Sequence, residues 1–342
     1  MNAGKWSVAR CLLLPILFCC ALFARSTLEN ESEEETNNYL THDAPGIEKR
    51  EHTLKKPYQG SGMTIPFWDF AGSTMVTQSF IRLTPDTQSK RGLLFNKVPL
   101  RSRYWEVRIH LKIDGHGKDL YGDGMAFWYV KDPLVHGNVF GHSDYFTGLG
   151  VFLDTYANQN GAHNHGHPYI SAMVNNGSLH YDHDRDGTHT EVAGCESKFR
   201  GVDYDTHISI RYFNDVLTIY TDVWGSERFD ECFSVKGVVL PTGYFIGVSA
   251  ATGDLSDNHD VISIKTYELE GDTGPKEDRS RVGPSASIFA PPRDHVDDAP
   301  PPMSNVKFFF LVVFAIIGVV VLIAVGMVVF QKQQETSRKR FY

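Results

Sequence analysis

The chain has 342 residues, which is enough for one large domain or two ordinary ones, and its formal net charge is −8. That total includes a basic C-terminal tail, so the rest of the chain is more acidic still. Because acidic surfaces repel phosphate backbones, nucleic acid is not an expected partner.

The N-terminus has the pattern of a secretory signal peptide, which we assign to residues 1–26. Lys5 and Arg10 precede an apolar run, and Ala24-Arg25-Ser26 is a suitable cleavage site. Residues 27–48 are polar and rich in glutamate, so they have little apolar surface to bury and are predicted to be disordered.

Cysteine usage agrees with an oxidising compartment. Three of the five cysteines lie in the signal peptide, and only Cys195 and Cys232 remain. One disulfide between these two is the simplest outcome in a secreted or lumenal chain, and two free thiols are the alternative.

From Tyr58 to about Leu269 the chain consists of short runs in which apolar residues alternate with polar ones. Trp105–Leu111 and Ile208–Tyr212 are examples, and Gly, Asp, Asn and Pro separate the runs. A period of two predicts β-strands, and no long helical pattern competes with it. Some two hundred residues of this kind predict a single all-β antiparallel sandwich.

The C-terminal part predicts a membrane anchor. Residues 271–306 are rich in proline and form a predicted stalk. Residues 307–331 contain an uncharged apolar run long enough for one transmembrane helix. Residues 332–342 form a short basic tail, and basic residues remain on the cytoplasmic side, so we predict a single-pass type I protein.

Oxygen-bearing side chains follow the predicted strand at residues 151–153. Asp154 ends this strand, Asn158 lies four residues later, and Tyr156 lies between them. Ca²⁺ takes six to eight oxygen ligands, backbone carbonyls included, and this segment can supply three of them. The alternative is an exposed turn capped by Asp and Asn.

Other oxygen-rich positions accompany later strand ends. Asp123 lies between two glycines, and residues 252–260 contain several acidic and polar residues. Residues 181–187 resemble the start of an EF-hand, but loop position 12, which needs a glutamate, is Ala193. We therefore interpret this acidic loop as part of a discontinuous site.

In this order, the motifs resemble the L-type, or legume-lectin-like, cargo lectins of the early secretory pathway. The matching segments are Gly122-Asp123-Gly124, Phe152–Tyr156, Asn175–Ser178, Tyr181–His183 and Thr252–Asp260. The resemblance covers residues 49–270 together with the membrane segment and tail, and is strongest to the vesicular integral-membrane mannose-binding subfamily. It implies a concanavalin-like lectin domain over residues 49–270, with Ca²⁺ as cofactor and high-mannose glycans of secretory glycoproteins as partners.

The resemblance also implies two sets of site residues. The implied Ca²⁺ ligands are Asp154, the carbonyl of Tyr156, Asn158 and Asp186. The implied mannose-binding residues are Ser89, Asp123, Asn158, His183, Gly253, Asp254 and Leu255. Because Asn158 belongs to both sets, loss of the metal is predicted to abolish sugar binding.

Two features depart from the family pattern. Ala157 stands where relatives tend to have proline, which we expect to loosen the loop and weaken Ca²⁺ binding. The following loop, residues 159–167, contains His163, His165 and His167. It is either a pH-sensing or metal-binding insert, or a solvated variable loop.

Two further residues each have two interpretations. His183 lies among acidic residues, so it either gains a proton as pH falls and repels the cation, or is an ordinary surface histidine. Asn176 begins a sequon on a turn, which is either glycosylated or unused.

The tail contains two possible sorting signals. Phe341-Tyr342 resembles an export signal read by vesicle coat proteins, and Arg338-Lys339-Arg340 resembles a retrieval signal. A positive-inside anchor explains the basic cluster equally well. Together the signals predict cycling between the endoplasmic reticulum and the Golgi.

Three function classes remain after these observations. A lectin is favoured, and a protein-binding sandwich without sugar binding is the alternative. A sandwich-fold glycoside hydrolase needs two carboxylates flanking the scissile bond. The chain has no acidic strand of the type E-x-D-x-E, so we do not expect an enzyme.

Overall fold

The computed structural model describes residues 46–59, 64–158, 165–226, 228–271, 278–286, 317–318 and 325–327. The predicted signal peptide, nearly all of the acidic segment, the tail and most of the stalk and membrane segment lie outside these residues. The chain divides into two units, Met1–Pro291 and Pro292–Tyr342. In the second unit the described residues are helical, and within the described residues no helix has the length and apolar character of a membrane span.

The described part of the first unit contains eighteen strands and three short 3₁₀ helices. In chain order, the strands are β1 Ile47–Glu48, β2 Trp68–Gly72, β3 Met75–Val76, β4 Ile81–Thr84, β5 Arg91–Asn96, β6 Trp105–Asp114, β7 Gly124–Val130, β8 His136–Val139, β9 Thr147–Asp154, β10 Tyr169–Asn176, β11 Ala193–Glu196, β12 Thr206–Phe213, β13 Val216–Asp222, β14 Asp230–Lys236, β15 Val238–Val239, β16 Phe245–Ala251, β17 Asn258–Glu268 and β18 Ser285–Ala286. The 3₁₀ helices are Arg50–His52, His183–Arg185 and Arg279–Arg281.

Two large antiparallel sheets form a sandwich. The first sheet has the order β14-β13-β12-β6-β17-β4-β3, with β1 also paired to β17. The second sheet has the order β11-β10-β9-β7-β16-β5-β2. The prediction of an all-β antiparallel sandwich is therefore confirmed.

The main core lies between the sheets and follows from the period-two pattern, because alternate residues of a strand point to opposite faces. In β9, Val151 belongs to this core, whereas its neighbour Phe152 points to the opposite face of the second sheet. Trp105 and Trp128 are 1% and 0% exposed, so both are core residues, as their positions inside strands predict.

A second, aromatic core covers that opposite face of the second sheet. Phe140 stacks on Phe152 with ring centroids 5.3 Å apart, and Tyr181 lies 4.6 Å from Phe152. These contacts hold the loop after β10 against the centre of the sheet. The loop carries His183 and Asp186, so this core positions them at the site.

The folded domain extends beyond the predicted limits of 49–270 at both ends. β1 lies within the segment predicted to be disordered, and β18, within the predicted stalk, pairs with β15. In the same segment the guanidinium of Arg279 is buried and ion-paired with Asp215. Both additions are two-residue strands, too short for a period-two pattern to reveal.

The predicted disulfide is present between Cys195 and Cys232. It joins β11, at one edge of the second sheet, to β14, at one edge of the first. The bond thus links the two sheets covalently at the same side of the sandwich.

Candidate functional site

The predicted site residues converge because of the register of the second sheet. β9 ends at Asp154, opposite Gly124 at the start of β7 and Tyr169 at the start of β10. β16 ends at Ala251, opposite Arg91 at the start of β5. In an antiparallel sheet, the start of one strand lies beside the end of its neighbour. The loops that adjoin these strand ends therefore meet at one end of the sheet. These loops carry Ser89, Asp123, Tyr156, Asn158, Gly253, Asp254 and Leu255.

Two buried carboxylates form the centre of the site. The side chains of Asp154 and Asp186 belong to residues that are 6% and 5% exposed. The Asp154 Oδ1 accepts a hydrogen bond from the backbone N–H of Tyr156, and the Asp186 Oδ1 accepts one from that of Asn158, both 3.0 Å long. The four predicted metal ligands therefore form two hydrogen-bonded pairs, Asp154 with Tyr156 and Asp186 with Asn158.

The electrostatics of this pair call for a cation. Burial and the neighbouring charge of Asp186 raise the pKa of Asp154 well above its ordinary value. Buried like charges are costly unless they are neutralised. The carboxylates, the Asn158 amide and the Tyr156 carbonyl are all oxygen donors, the type that Ca²⁺ prefers. The donor set thus fits a calcium ion.

Among the described His, Cys, Asp and Glu residues, His167 is the one that joins the acid pair in a cluster suited to a metal ion. Its Nε2 lies 3.8 Å from the Asp186 Oδ2, and the ligand atoms of Asp154, His167 and Asp186 lie within 4.8 Å of one another. Burial, and then the neighbouring His165, lower the pKa of His167 to about 4. The histidine-rich composition of the loop was the sequence signal for this approach. His163 lies outside the described residues.

A cavity of about 500 Å³ contains three of the predicted mannose-binding residues, Ser89, Asp123 and Gly253. Sequence reasoning missed three other polar residues that line it, namely Arg91, His136 and Asn138. These residues come from β5 and β8, and no local pattern relates them to Asp123.

A neighbouring cavity of about 590 Å³ is lined by the metal-site residues Tyr156, Asn158 and His167, together with Thr155. The carbonyl of Asp123 accepts hydrogen bonds from the N–H and Oγ1 of Thr155, at 3.1 and 3.0 Å. This contact connects the two cavities. Asn158 therefore faces the metal-site cavity, next to the one that holds Asp123.

Asp123 is held closely against the loop after β16. A side chain at Gly253 would place its Cβ 3.0 Å from the Asp123 Oδ1, so a larger residue there would displace this carboxylate by a few tenths of an ångström. The carbonyl of Gly253 in turn accepts a hydrogen bond of 3.0 Å from the N–H of Ser89. Burial raises the pKa of Asp123 to about 6.

His183 begins a 3₁₀ helix, and its ring packs between aromatic residues. The ring centroid lies 4.7 Å from that of Tyr181 and 5.6 Å from that of Phe140. Burial lowers the pKa of His183, and the contrary influences of the Asn138 backbone and of acids such as Asp144 do not reverse this. A simple proton switch at His183 is therefore disfavoured, since burial opposes its protonation.

The other predicted residues are placed as follows. The carbonyl of Asp254 accepts a hydrogen bond of 2.6 Å from the Gln88 side chain. Leu255 lies beside Gly122, the residue that precedes Asp123. The Cβ of Leu255 is 3.7 Å from the position that a Cβ on Gly122 would occupy. Asn176 is exposed at the end of β10, and its Oδ1 accepts a hydrogen bond from Ser178. Glycosylation at Asn176 stays a prediction.

Comparison with known proteins identifies relatives that are similar in both sequence and structure. The human vesicular integral-membrane protein VIP36 is 48% identical over 304 residues, which cover 86% of this chain and 85% of that protein. The crystal structure of the VIP36 exoplasmic/lumenal domain in its Ca²⁺/Man2-bound form matches with a TM-score of 0.68 and 48% identity, covering 71% of this chain and 98% of that one. Its metal-free form matches with a TM-score of 0.66 and 49% identity, covering 71% and 100%.

A profile of the legume-like lectin family matches residues 46–274, which include every strand of both large sheets. The match agrees with the resemblance of the sequence motifs and with a lectin rather than an enzyme. The chain belongs to the legume-like lectin family.

Proposed function

We propose that this chain is a Ca²⁺-dependent lectin that binds high-mannose N-glycans of secretory glycoproteins. The observation that carries the proposal is the buried pair Asp154 and Asp186, which adjoins a polar cavity containing Asp123. A bound Ca²⁺ would offset the repulsion between these two buried carboxylates. Solved structures of the VIP36 lumenal domain in Ca²⁺/Man2-bound and metal-free forms support the same chemistry here.

We expect sugar recognition to use the donors and acceptors that line the two neighbouring cavities. The carboxylate of Asp123 accepts hydrogen bonds from sugar hydroxyls, and the amide of Asn158 both donates and accepts. Because Asp186 holds the backbone of Asn158, ordering the acid pair also orders the Asn158 segment before a ligand arrives. Each polar contact contributes about 0.5–1.5 kcal/mol, so one mannose binds with a dissociation constant of roughly tens of micromolar to millimolar. Useful capture then depends on multivalency.

The proposal is tested by measuring mannobiose binding calorimetrically, with Ca²⁺ and with EDTA. Asp154→Asn should lose Ca²⁺ and mannobiose binding together, since it removes one ligand charge at the centre. Asp184→Asn is the matched control, because this exposed acid is in the same loop as Asp186 and makes the same charge change. Mannobiose binding that survives EDTA would contradict the proposal. Binding to protein partners alone, unaffected by chelation, would favour the protein-binding alternative.

We further propose that the protein is a type I membrane cargo receptor that cycles between the endoplasmic reticulum and the Golgi. The apolar run within 307–331 and the name of the relative, vesicular integral-membrane protein VIP36, support membrane attachment. The terminal Phe341-Tyr342 would be read by vesicle coat proteins. Deleting these two residues should slow exit from the endoplasmic reticulum, as measured by the distribution of a tagged chain, and an unchanged distribution would refute the export signal.

A further inference from the structure

We infer that His167 makes the acid pair a mixed nitrogen–oxygen centre that also binds a divalent transition-metal ion of the zinc type. The inference rests on the proposed metal site at Asp154 and Asp186 and deepens it. It predicts that the site binds zinc-type ions as well as Ca²⁺, and that the His167 imidazole is a ligand for the zinc-type ions only.

The burial of His167 is the first support. Its side chain is 6% exposed, and neither ring nitrogen has a hydrogen-bond partner within the described part of the chain. A buried ring nitrogen without a partner is costly. The Nε2 is directed at the acid pair, 3.8 Å from the Asp186 Oδ2, so a metal ion between them would satisfy both groups.

The segment around His167 is held in place by contacts that do not involve the acid pair. The ring of His165 stacks on Tyr169 with centroids 3.8 Å apart and an interplanar angle of 14°. The N–H of Gly166 donates a 2.6 Å hydrogen bond to the Glu196 side chain of β11. The imidazole is thus fixed beside the carboxylates, as a preformed ligand requires.

Ligand chemistry distinguishes the two kinds of ion. Ca²⁺ takes oxygen ligands at about 2.3–2.6 Å, so ligand atoms up to about 5 Å apart can share one ion. The ligand atoms of the two carboxylates lie within 4.8 Å of each other, which meets this limit. Zn²⁺ binds imidazole nitrogen and carboxylate oxygen at about 2.0–2.2 Å, which limits the separation of two ligand atoms to about 4.4 Å. The distance between His167 and Asp186 already meets that limit. The separations that involve Asp154 are at most 4.8 Å, which exceeds the limit by no more than about 0.4 Å.

The imidazole therefore favours zinc-type ions at this centre. Carboxylates and carbonyls alone suit Ca²⁺, whereas an added imidazole suits Zn²⁺ and similar ions. Zn²⁺ would compete with Ca²⁺ for Asp154 and Asp186, and thereby for the loop that carries Asn158. Removing His167 should weaken Zn²⁺ binding and leave Ca²⁺ binding nearly unchanged.

The test uses the full chain, purified in detergent without a histidine tag and stripped of metal. Titration with Co²⁺, a coloured substitute for Zn²⁺, should give visible absorption bands from a centre that contains imidazole. His167→Gln should remove these bands and weaken Zn²⁺ binding, measured calorimetrically, by at least about tenfold. His116→Gln is the control, since that ring is 97% exposed and pairs with Asp86 away from the centre.

The outcomes separate this inference from the proposed function. Equal Zn²⁺ affinity in wild type and His167→Gln would overturn the inference, as would an equal loss of Ca²⁺ affinity in His167→Gln, because that would mean general damage to the loop. Zn²⁺ binding that depends on His167, together with mannobiose binding that ignores Ca²⁺, would uphold the inference and overturn the proposed function. Asp154→Asn should lose both metals.

Discussion

Two buried acidic clusters lie near one another in the sandwich, and they differ in where their positive charge comes from. In one, the Asp257 carboxylate is fully buried and accepts two hydrogen bonds from Arg200, at 2.7 and 2.9 Å. In the other, Asp154 and Asp186 are buried together, with His167 as the basic residue whose ligand atom approaches both. The first cluster is neutralised by an arginine of the chain, whereas the second brings two carboxylates together, which the proposed cation would neutralise.

The contrast separates a structural cluster from a binding cluster. Arg200 also donates to the carbonyl of Gly117 at 2.8 Å and lies 3.6 Å above the ring of Tyr121. It therefore holds the segment that leads into Asp123 against the loop that carries Asp257. The acid pair instead accepts hydrogen bonds from the backbone of one short loop, at Tyr156 and Asn158. We therefore expect its energetic cost to be offset by binding. Each cluster should respond differently when one of its members is removed.

The largest expected effect is in the structural cluster. Asp257→Ala leaves the Arg200 guanidinium buried without its partner, which should lower the free energy of unfolding by about 3–5 kcal/mol. Urea unfolding should show the same loss with and without Ca²⁺. Lys97→Ala is the control, because its ion pair with Asp69 is about half exposed and should contribute less than about 1 kcal/mol. If the loss of unfolding free energy in Asp257→Ala disappeared when Ca²⁺ was added, Asp257 would belong to a binding cluster as well.

The binding cluster should show the opposite pattern. Asp154→Asn removes one of two buried like charges, so without Ca²⁺ the free energy of unfolding should stay the same or rise. Wild-type protein should gain about 2.7 kcal/mol at Ca²⁺ concentrations one hundred times the dissociation constant, and Asp154→Asn should gain nothing. Thermal unfolding at several Ca²⁺ concentrations measures both quantities. A metal-free Asp154→Asn variant that is clearly less stable would show that the carboxylate has a structural task.

Acid should act on the structural cluster through His259. This fully buried ring contacts the Thr84 hydroxyl at 2.7 Å, and that hydroxyl also donates to the carbonyl of Asp257. Burial lowers the pKa of His259 to about 3, against 6.5 in an unfolded chain. Between these values the unfolded chain binds a proton that the folded chain does not, so stability falls as pH falls. By pH 5 this loss amounts to about 2 kcal/mol.

The measurement is the difference in unfolding free energy between pH 7 and pH 5. In His259→Leu this difference should shrink by about 2 kcal/mol, whatever the variant's stability at pH 7. Wild-type protein, measured at the same two pH values, provides the reference for this difference. An unaltered difference in His259→Leu would mean that the acid sensitivity arises elsewhere.

The sequence predicted the binding cluster better than the structural cluster. The reason is that the partners in the structural cluster are far apart in the sequence. Asp154 is recognisable because it ends an apolar strand, and the alternation that predicts strands also predicts that end. Arg200 and Asp257 are 57 residues apart, and nothing local relates them. His167 was noticed only through the composition of its loop, because its approach to Asp186 depends on the aromatic core beneath Tyr181. Local pattern thus predicts strands and strand ends, whereas side-chain partners depend on the packing of distant segments.

The smallest expected effect concerns Ala157, within the loop that the acid pair orders. The N–H groups on either side of it, those of Tyr156 and Asn158, donate to Asp154 and Asp186. Ala157→Pro would restrict the unfolded and metal-free loop without removing either hydrogen bond, a change that typically contributes about 0.4–1 kcal/mol. Ca²⁺ should therefore bind about two- to fivefold more tightly, as calorimetry would show. Weaker binding would mean that the backbone at residue 157 does not fit proline, and that alanine is there because the loop requires it.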